Sequence, residues 1–388
     1  MKIKELEYEN KISKWKLENT SFSDLTLLVG ISGVGKTRIL DSIWKLRQIA
    51  EGESANGIKW IIKFVTNNGS EYIWSGEYEH KVLPKQLLFL ERFNKQDEND
   101  ENKPKLKTEK VIKNGKTIVE RTPRKNSSVI FLEGKETPKL SPFESVISLF
   151  GQEDDISPAY QEFKRIIKSD FSQAAIRVGT SYDKELKRKP SLEDIRKSHL
   201  SSEMKVGLLY NLYPKEFDKI KTHFMDVFPQ ISDVRLKTEK DIPFFDTYPF
   251  LEIKEKGVKN WIDQSSLSSG MYKTFMHISE LFTLSRGTVV LIDEFENSLG
   301  VNCIDVLTED LLEESRNIQF IVTSHHPYII NNISPKYWKI VTRKGGIVTT
   351  KDTEKLGLDK SKHQAFLQLL NLEEYSEGVL ISGKFTFW

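Results

Sequence analysis

The sequence contains a single cysteine, Cys303, among its 388 residues. An intrachain disulfide and a cysteine zinc site are therefore excluded, which fits a reducing, cytoplasmic compartment. No run of about 18 apolar residues occurs, and no apolar signal core follows Met1, so we expect neither a membrane span nor a leader. Acidic and basic side chains nearly cancel, 56 against 58, and the resulting net charge of +2 gives no general argument for a nucleic-acid partner.

A glycine-rich loop is the strongest motif. Residues 30–37 match the phosphate-binding pattern G-x-x-x-x-G-K-[ST]; an apolar run at 25–29 predicts a buried strand before the loop, and helical spacing over 38–50 follows it. Backbone N–H groups of such a loop point at a phosphate, and the helix dipole adds to the attraction. We predict that Lys36 reaches the β- and γ-phosphates and that the Thr37 hydroxyl binds Mg²⁺. The nucleotide-binding residues of this stretch are predicted as Gly30, Ser32, Gly33, Gly35, Lys36, Thr37 and Arg38.

Two later apolar runs end in polar side chains. Residues 287–292 lead into Asp293 and Glu294, and residues 318–323 lead into Ser324 and His325. Because the carboxyl ends of parallel strands face the ligand crevice, we predict that Asp293 binds Mg²⁺ and that Glu294 polarises the attacking water. His325 is predicted to sense the γ-phosphate, with a purely structural histidine as the alternative.

A short motif precedes the acidic strand. Residues 267–270 read Leu-Ser-Ser-Gly and open a stretch with helical spacing. Hydroxyl and N–H groups at a helix start can bind an anion, and an ordinary N-cap is the alternative.

These motifs together carry a family resemblance. Residues 267–270 resemble the L-S-x-G signature of ABC-type ATPases, and the order of phosphate loop, insertion, signature, acidic strand and histidine resembles the ABC and SMC-like superfamily. Residues 292–299 and 323–327 resemble its compact OLD-like prokaryotic branch. The resemblance implies an α/β fold: an ABC-type ATPase head with a mixed β-sheet around the P-loop, an antiparallel β subdomain and a helical insertion. It implies ATP and Mg²⁺ as cofactors and a homodimer or higher homo-oligomer in which Ser268 and Gly270 complete the partner's nucleotide site.

The same resemblance implies a role. OLD-like ATPases are often paired with effectors in phage-defence systems such as Septu and PARIS, so the implied function is an ATP hydrolase that acts as sensor or scaffold for a separate nuclease or toxin. A RecF-type DNA-repair ATPase that clamps DNA is the alternative, weakened by the small net charge and by the lack of a heptad arm, and direct DNA binding stays open. Glu294 argues against a regulator without turnover. Two features depart from the family: Leu-Gly-Val at 299–301 replaces the usual Leu-His-Pro, and Gln152 is only a weak glutamine-loop candidate.

The pattern along the chain predicts four parts. They are an ATPase lobe with the P-loop and an antiparallel β subdomain at 1–144, a helical insertion at 145–230, a second ATPase lobe at 231–350, and a C-terminal helix with an apolar tail at 351–388. Strands at 234–237 and 249–253 are expected to return the chain to the main sheet, and Ile166 and Ile167 are expected to lie on a helix. The charged run at 95–116 is read as a solvated loop rather than a binding segment.

We do not expect the C-terminal part to hold the nuclease module that follows the ATPase in OLD nucleases. Only about sixty residues remain after His326, less than a typical domain. The apolar residues at 379–381 and 385–388 either dock a partner subunit or form a last strand on the chain's own core.

Overall fold

The computed structural model describes residues 1–81, 103–124, 127–169, 188–198, 200–238, 249–296, 308, 317–357, 362–371 and 379–380. The chain divides into two compact units. The larger comprises Met1–Lys168, Gly287–Asp293 and Asn317–Trp388, and the smaller comprises Ser169–Arg286 and Glu294–Arg316. The four predicted parts, with their three boundaries, stay a prediction.

The larger unit is built on one mixed sheet, which contains fifteen of the described strands. Strands are numbered along the chain, and those of this sheet are β1 (Lys2–Asn10), β2 (Trp15–Ser21), β3 (Leu25–Val29), β4 (Ile58–Val65), β5 (Glu71–Tyr78), β6 (Leu106–Lys113), β7 (Lys116–Arg124), β8 (Ser127–Leu132), β9 (Lys135–Glu136), β10 (Ile166–Ser169), β14 (Val289–Ile292), β15 (Gln319–Ser324), β16 (Trp338–Lys344), β17 (Ile347–Asp352) and β18 (Val379–Leu380).

The order of the strands divides this sheet into a parallel and an antiparallel region. Its order is β10-β14-β15-β3-β16-β17-β2-β1-β4-β5-β6-β7-β8-β9, with β18 beside β16. Neighbours from β14 to β16 are parallel, and those from β2 to β9 are antiparallel. The predicted α/β fold class, with a mixed sheet around the P-loop strand and an antiparallel region, is confirmed.

Five described helices belong to the larger unit: α1 (Lys36–Ala50), α2 (Val146–Leu149), α3 (Ser157–Phe163), α8 (Pro327–Asn332) and α9 (Lys362–Asn371). The α1 helix buries Ile39, Ile43, Leu46 and Ile49, the three- and four-residue spacing of one helix face. This helix thereby packs its apolar face on the core and starts directly at the P-loop.

The antiparallel region has an aromatic core with a buried ion pair. Trp60 and Trp74 make an edge-to-face contact at 5.0 Å. Glu109, fully buried, accepts hydrogen bonds from Trp74 Nε1 at 2.8 Å and Ser145 Oγ at 2.6 Å, and its carboxylate lies 3.8 Å from Arg121 Nε. Burial raises the pKa of Glu109, and the Arg121 charge opposes that rise. The pair fixes the start of α2 against β6 and β7, since Arg121 Nη2 also donates to the Glu144 carbonyl at 2.8 Å.

The smaller unit contains four described helices and a sheet of its own. The helices are α4 (Leu192–Lys197), α5 (Ser202–Leu212), α6 (Pro214–Val227) and α7 (Ser269–Thr283), and the strands are β11 (Ile231–Thr238), β12 (Pro249–Glu255) and β13 (Ile262–Asp263). The strands expected at 234–237 and 249–253 exist, but their predicted return to the main sheet is wrong. They pair with each other in antiparallel register, and Arg235 Nε donates to Glu252 Oε2 across the pair at 2.5 Å.

A second expectation is also wrong. Ile166 and Ile167 lie on β10 rather than on a helix, because β10 extends the main sheet beside β14, where Val289 N donates to the Arg165 carbonyl at 3.2 Å. Two β-branched residues suit that position. The hairpins predicted at 60–75, 109–120 and 338–350 are confirmed.

Some predicted features fall outside the described residues. They are a strand at 87–93, residues 95–102 of the charged run, the departure at 299–301, Cys303 and the apolar residues from 381 onward. The solvated loop expected over the rest of the charged run is wrong for Leu106–Lys113, because these residues form β6 and pair with β5 and β7 in the main sheet. Val379 and Leu380 pair in parallel with β16, as expected of a last strand on the chain's own sheet. No helix in the described ranges is long and apolar enough to cross a membrane.

Candidate nucleotide site

The P-loop opens at the carboxyl edge of the parallel strands. Val29, the last residue of β3, lies opposite Ser324 of β15 on one side and Ile340 of β16 on the other. Because all three strands run the same way, the loop at 30–35 lies at the edge where ligands of α/β sheets bind.

Glycine is required at three positions of the loop for different reasons. A Cβ on Gly30 would lie 2.6 Å from the Val341 carbonyl oxygen of β16, so this position has no room for a side chain. Gly33 and Gly35 have φ angles of +86° and +110°, which other residues rarely adopt. These turns lead directly into α1, whose N-cap is Gly35 and whose first turn receives no side-chain cap. The backbone N–H groups of that turn and the helix dipole therefore suit an anion.

Lys36 extends back along the loop. Its Nζ donates to the Gly30 carbonyl at 2.6 Å and to the Ile31 carbonyl at 3.0 Å. Ser32, Gly33, Thr37 and Arg38 are exposed, so the predicted nucleotide-binding side of the loop and of the first helical turn is open to a ligand.

The structure brings the predicted metal-binding residues together. Thr37 Oγ1 donates to Asp293 Oδ1 at 3.1 Å, although the two residues are 256 positions apart. Asp293 follows β14, and Thr323 of β15, which lies between β14 and β3, donates to the same oxygen at 2.6 Å. A hydroxyl and a carboxylate at this spacing are oxygen ligands of the kind that Mg²⁺ takes beside nucleotide phosphates.

Glu294 has an unusual backbone. It follows Asp293 with a φ of +47°, in the left-handed region that costs a non-glycine residue about 1–3 kcal/mol, and its side chain is exposed. Strained residues of this kind cluster at functional sites, which suits the predicted catalytic base.

The two histidines after β15 differ in their roles. His326 is the N-cap of α8, and its Nδ1 accepts the Tyr328 N–H at 3.2 Å, so it has a structural function. His325 is exposed one residue earlier. The ring of His325 is not the helix cap, and the sensor role predicted for His325 stays a prediction.

The signature residues lie in the smaller unit at the start of α7. Ser268 is the N-cap and accepts the Met271 N–H at 3.2 Å. Its own hydroxyl proton is not used in that bond and can still be donated to an anion. Ser268 is exposed and Gly270 is half-buried. The N-cap interpretation thus describes the local structure, and the nucleotide contact remains a prediction.

Two titratable side chains further along α7 have strongly shifted pKa values. Burial, with a smaller effect of Lys273, lowers the pKa of His277 to about 3. Burial raises the pKa of Glu280 to about 7 against the opposing hydrogen bond from Ser169 and the charge of Lys205. The helix behind the signature thus carries a neutral imidazole and a carboxyl group poised near neutral pH.

The residues of the larger unit fit a nucleotide with a magnesium ion. The loop supplies N–H donors and a lysine, and Thr37 and Asp293 supply the oxygen pair, with phosphate oxygens and water left to complete a Mg²⁺ shell. No group of three His, Cys, Asp or Glu side chains suited to a metal occurs elsewhere among the described residues.

Two contacts to the site were absent from the sequence-based predictions. Thr323 ends the apolar run whose carboxyl end is predicted to line the site, but its hydrogen bond to Asp293 is not among the predictions. Arg343 Nη1 donates to the Gly33 carbonyl at 3.4 Å from 310 positions away, and no local signal points to that contact.

A glycine-rich loop between a parallel strand and a helix, with an aspartate held against its threonine, defines a P-loop nucleotide-binding protein. Residues 25–331 match the family described as "AAA domain, putative AbiEii toxin, Type IV TA system". The chain belongs to this family, and the predicted ATPase class is confirmed at that level. No curated protein matches the sequence.

Solved structures similar to the chain include three SMC head domains. One is an SMC head bound to the C-terminal winged-helix domain of ScpA, with 16% identity, 92% of this chain and 100% of that chain covered, and a TM-score of 0.46. A second is the SMC head domain with an extended coiled coil bound to the C-terminal domain of ScpA, derived from Pyrococcus furiosus. Its identity is 16%, it covers 92% of this chain and 98% of that chain, and its TM-score is 0.46. The third is the SMC head domain from Thermotoga maritima, with 14% identity, 91% of this chain and 99% of that chain covered, and a TM-score of 0.42.

Proposed function

We propose that this chain is an ATP hydrolase of the ABC type that dimerises around ATP and Mg²⁺ and controls a separate effector. The observation that carries the proposal is the meeting of Thr37 and Asp293 at the mouth of the P-loop. A bound Mg²⁺ would draw negative charge from the transferring phosphoryl group.

The residues of the chain divide the chemistry among them. Lys36 exchanges its two loop carbonyls for phosphate oxygens, since a charge-assisted bond to phosphate is stronger than one to a carbonyl. Thr37 and Asp293 orient the metal. Glu294 accepts a proton from the attacking water, and His325 donates a hydrogen bond to the γ-phosphate.

The partner chain would complete each site. Ser268 and Gly270 of one copy donate to the γ-phosphate held by the Lys36 loop of the other, so that ATP joins the two copies and hydrolysis releases them. The exposed Ser268, with a hydroxyl proton left to donate, supports this role.

The biological role proposed is antiviral defence of the OLD-like kind, through a nuclease or toxin encoded separately. The family description, which names a putative toxin of a toxin–antitoxin system, supports a function in a two-component conflict system. A phage plaque assay tests this role. Cells that express the wild-type chain with its neighbouring gene should be protected, and cells that express the Lys36→Ala chain with the same gene should lose that protection. An ATP-stimulated, salt-dependent affinity for DNA would instead favour the clamp.

The enzymatic part is tested with the purified chain. We expect Mg²⁺-dependent phosphate release from ATP by the wild type and none by Lys36→Ala, which should not bind ATP. Lys116→Ala is the matched control, because that lysine lies on β7 with 70% of its side chain exposed. Equal phosphate release by Lys36→Ala and Lys116→Ala would contradict the proposed function.

A further inference from the structure

We propose that Thr323 is a positioning residue that holds the metal-binding carboxylate of Asp293 in its working orientation. The inference rests on the proposed function of the P-loop site and adds a residue that the P-loop and acidic-strand motifs do not contain. Thr323 acts through Asp293 and need not touch the nucleotide.

The geometry identifies a short bond from a rigid donor. Thr323 is 1% exposed and lies on β15, where Val322 pairs with Ile292 of β14, so it is the next neighbour of Asp293 across the two parallel strands. Its Oγ1 lies 2.6 Å from Asp293 Oδ1. Hydroxyl bonds to a carboxylate of about 2.5–2.7 Å are charge-assisted and are the stronger class of hydrogen bond.

The need for such a donor follows from the aspartate itself. The terminal torsion of an aspartate has broad minima, so one hydrogen bond leaves the plane of the carboxylate loosely defined. Thr37, the other donor to Oδ1, is exposed and lies at the loop end of α1, where a ligand acts on it directly. Thr323 is β-branched and buried in the sheet, so its hydroxyl direction is fixed by the fold.

The two donors also distinguish the two carboxylate oxygens. Both hydroxyls bond to Oδ1, and among the described residues Oδ2 accepts no hydrogen bond. Oδ2 is therefore the oxygen presented to a metal ion or to a water in its shell. Loss of the Thr323 hydroxyl would let the carboxylate rotate and would weaken Mg²⁺ binding without removing any phosphate contact.

The test is the Mg²⁺-dependent gain in nucleotide affinity, measured with a fluorescent ATP analogue in EDTA and across a Mg²⁺ titration. For Thr323→Val, which removes the hydroxyl at nearly constant volume, we expect unchanged affinity in EDTA and a Mg²⁺ affinity lower by about 10- to 100-fold. Thr323→Ser should restore it to near the wild-type value. Thr342→Val is the matched control, since it removes a strand hydroxyl that bonds to Thr349 at 2.8 Å.

The outcomes separate this inference from the proposed function. A wild type that gains nothing from Mg²⁺ contradicts the proposed function. The assignment of Thr323 alone is overturned if the wild type shows the Mg²⁺-dependent gain in nucleotide affinity and Thr323→Val shows the same gain. It is also overturned if Thr323→Val loses nucleotide affinity equally in EDTA and in Mg²⁺. If the valine variant does not fold, Thr323→Ala takes its place. In an Asp293→Asn background, removal of the Thr323 hydroxyl should have no further effect on Mg²⁺ affinity.

Discussion

Replacement of Gly33 by alanine separates two effects of a P-loop glycine, its effect on the stability of the fold and its effect on nucleotide binding. Gly33 has a φ of +86°, and a Cβ built on it meets no atom within 4 Å. The methyl group of Gly33→Ala therefore has room, and its cost is the left-handed backbone alone, about 1–2 kcal/mol.

The chain offers a matched control in Gly134. This glycine connects β8 and β9, has a φ of +80° and also has nothing within 4 Å of its Cβ position. Gly33→Ala and Gly134→Ala should therefore lower the free energy of unfolding by similar amounts, about 1–2 kcal/mol each. Urea unfolding followed by fluorescence measures both.

Nucleotide binding should differ between the same two variants. Relief of strain at Gly33 rotates the adjacent peptide groups, and the N–H groups that face the phosphates turn with them. We expect Gly33→Ala to bind ATP at least about tenfold more weakly, the equivalent of 1.4 kcal/mol, and Gly134→Ala to bind it normally. Equal stability losses with wild-type ATP affinity in Gly33→Ala would show that the left-handed turn does not form the anion site.

Three further predictions concern stability and the signature. His277 stays neutral in the fold but takes up a proton when unfolded below pH 6.5, so the free energy of unfolding should fall as the pH drops from 7.5 to 5. The fall should be about 2 kcal/mol larger in the wild type than in His277→Gln, measured by urea midpoints. Arg121→Met should cost about 3–5 kcal/mol in urea unfolding, because it leaves the Glu109 carboxylate buried without its counter-ion, and adding Glu109→Gln should recover part of the loss. Ser268→Ala should cost about 1 kcal/mol through the lost N-cap and should abolish ATP-dependent dimerisation in gel filtration; a variant that still dimerises normally contradicts the signature role.

Local features of the fold could be predicted from the sequence. The Asn114-Gly115 turn and the alternation on either side specify a hairpin within a dozen residues, and the loop at 30–37 carries its own strand and helix signals. The acidic strand and the strand before His325 were also identifiable, because buried parallel strands are continuous apolar runs.

Long-range pairing could not be predicted in the same way. The strands β11 and β12 would show the same alternation of apolar and polar residues in the main sheet and in a sheet of their own. Only their register with each other decides which sheet they form. The contact of Arg343 with the P-loop likewise depends on β16 lying beside β3, a neighbour relation that no local pattern contains.

The measurement that tests the central claim most directly is the mass of Glu294→Gln with saturating ATP and Mg²⁺, determined by light scattering. The account predicts a stable particle of twice 44.9 kDa that returns to 44.9 kDa when ATP is removed. A variant that binds ATP and stays at 44.9 kDa would contradict the claim that two copies of this chain close around the nucleotide.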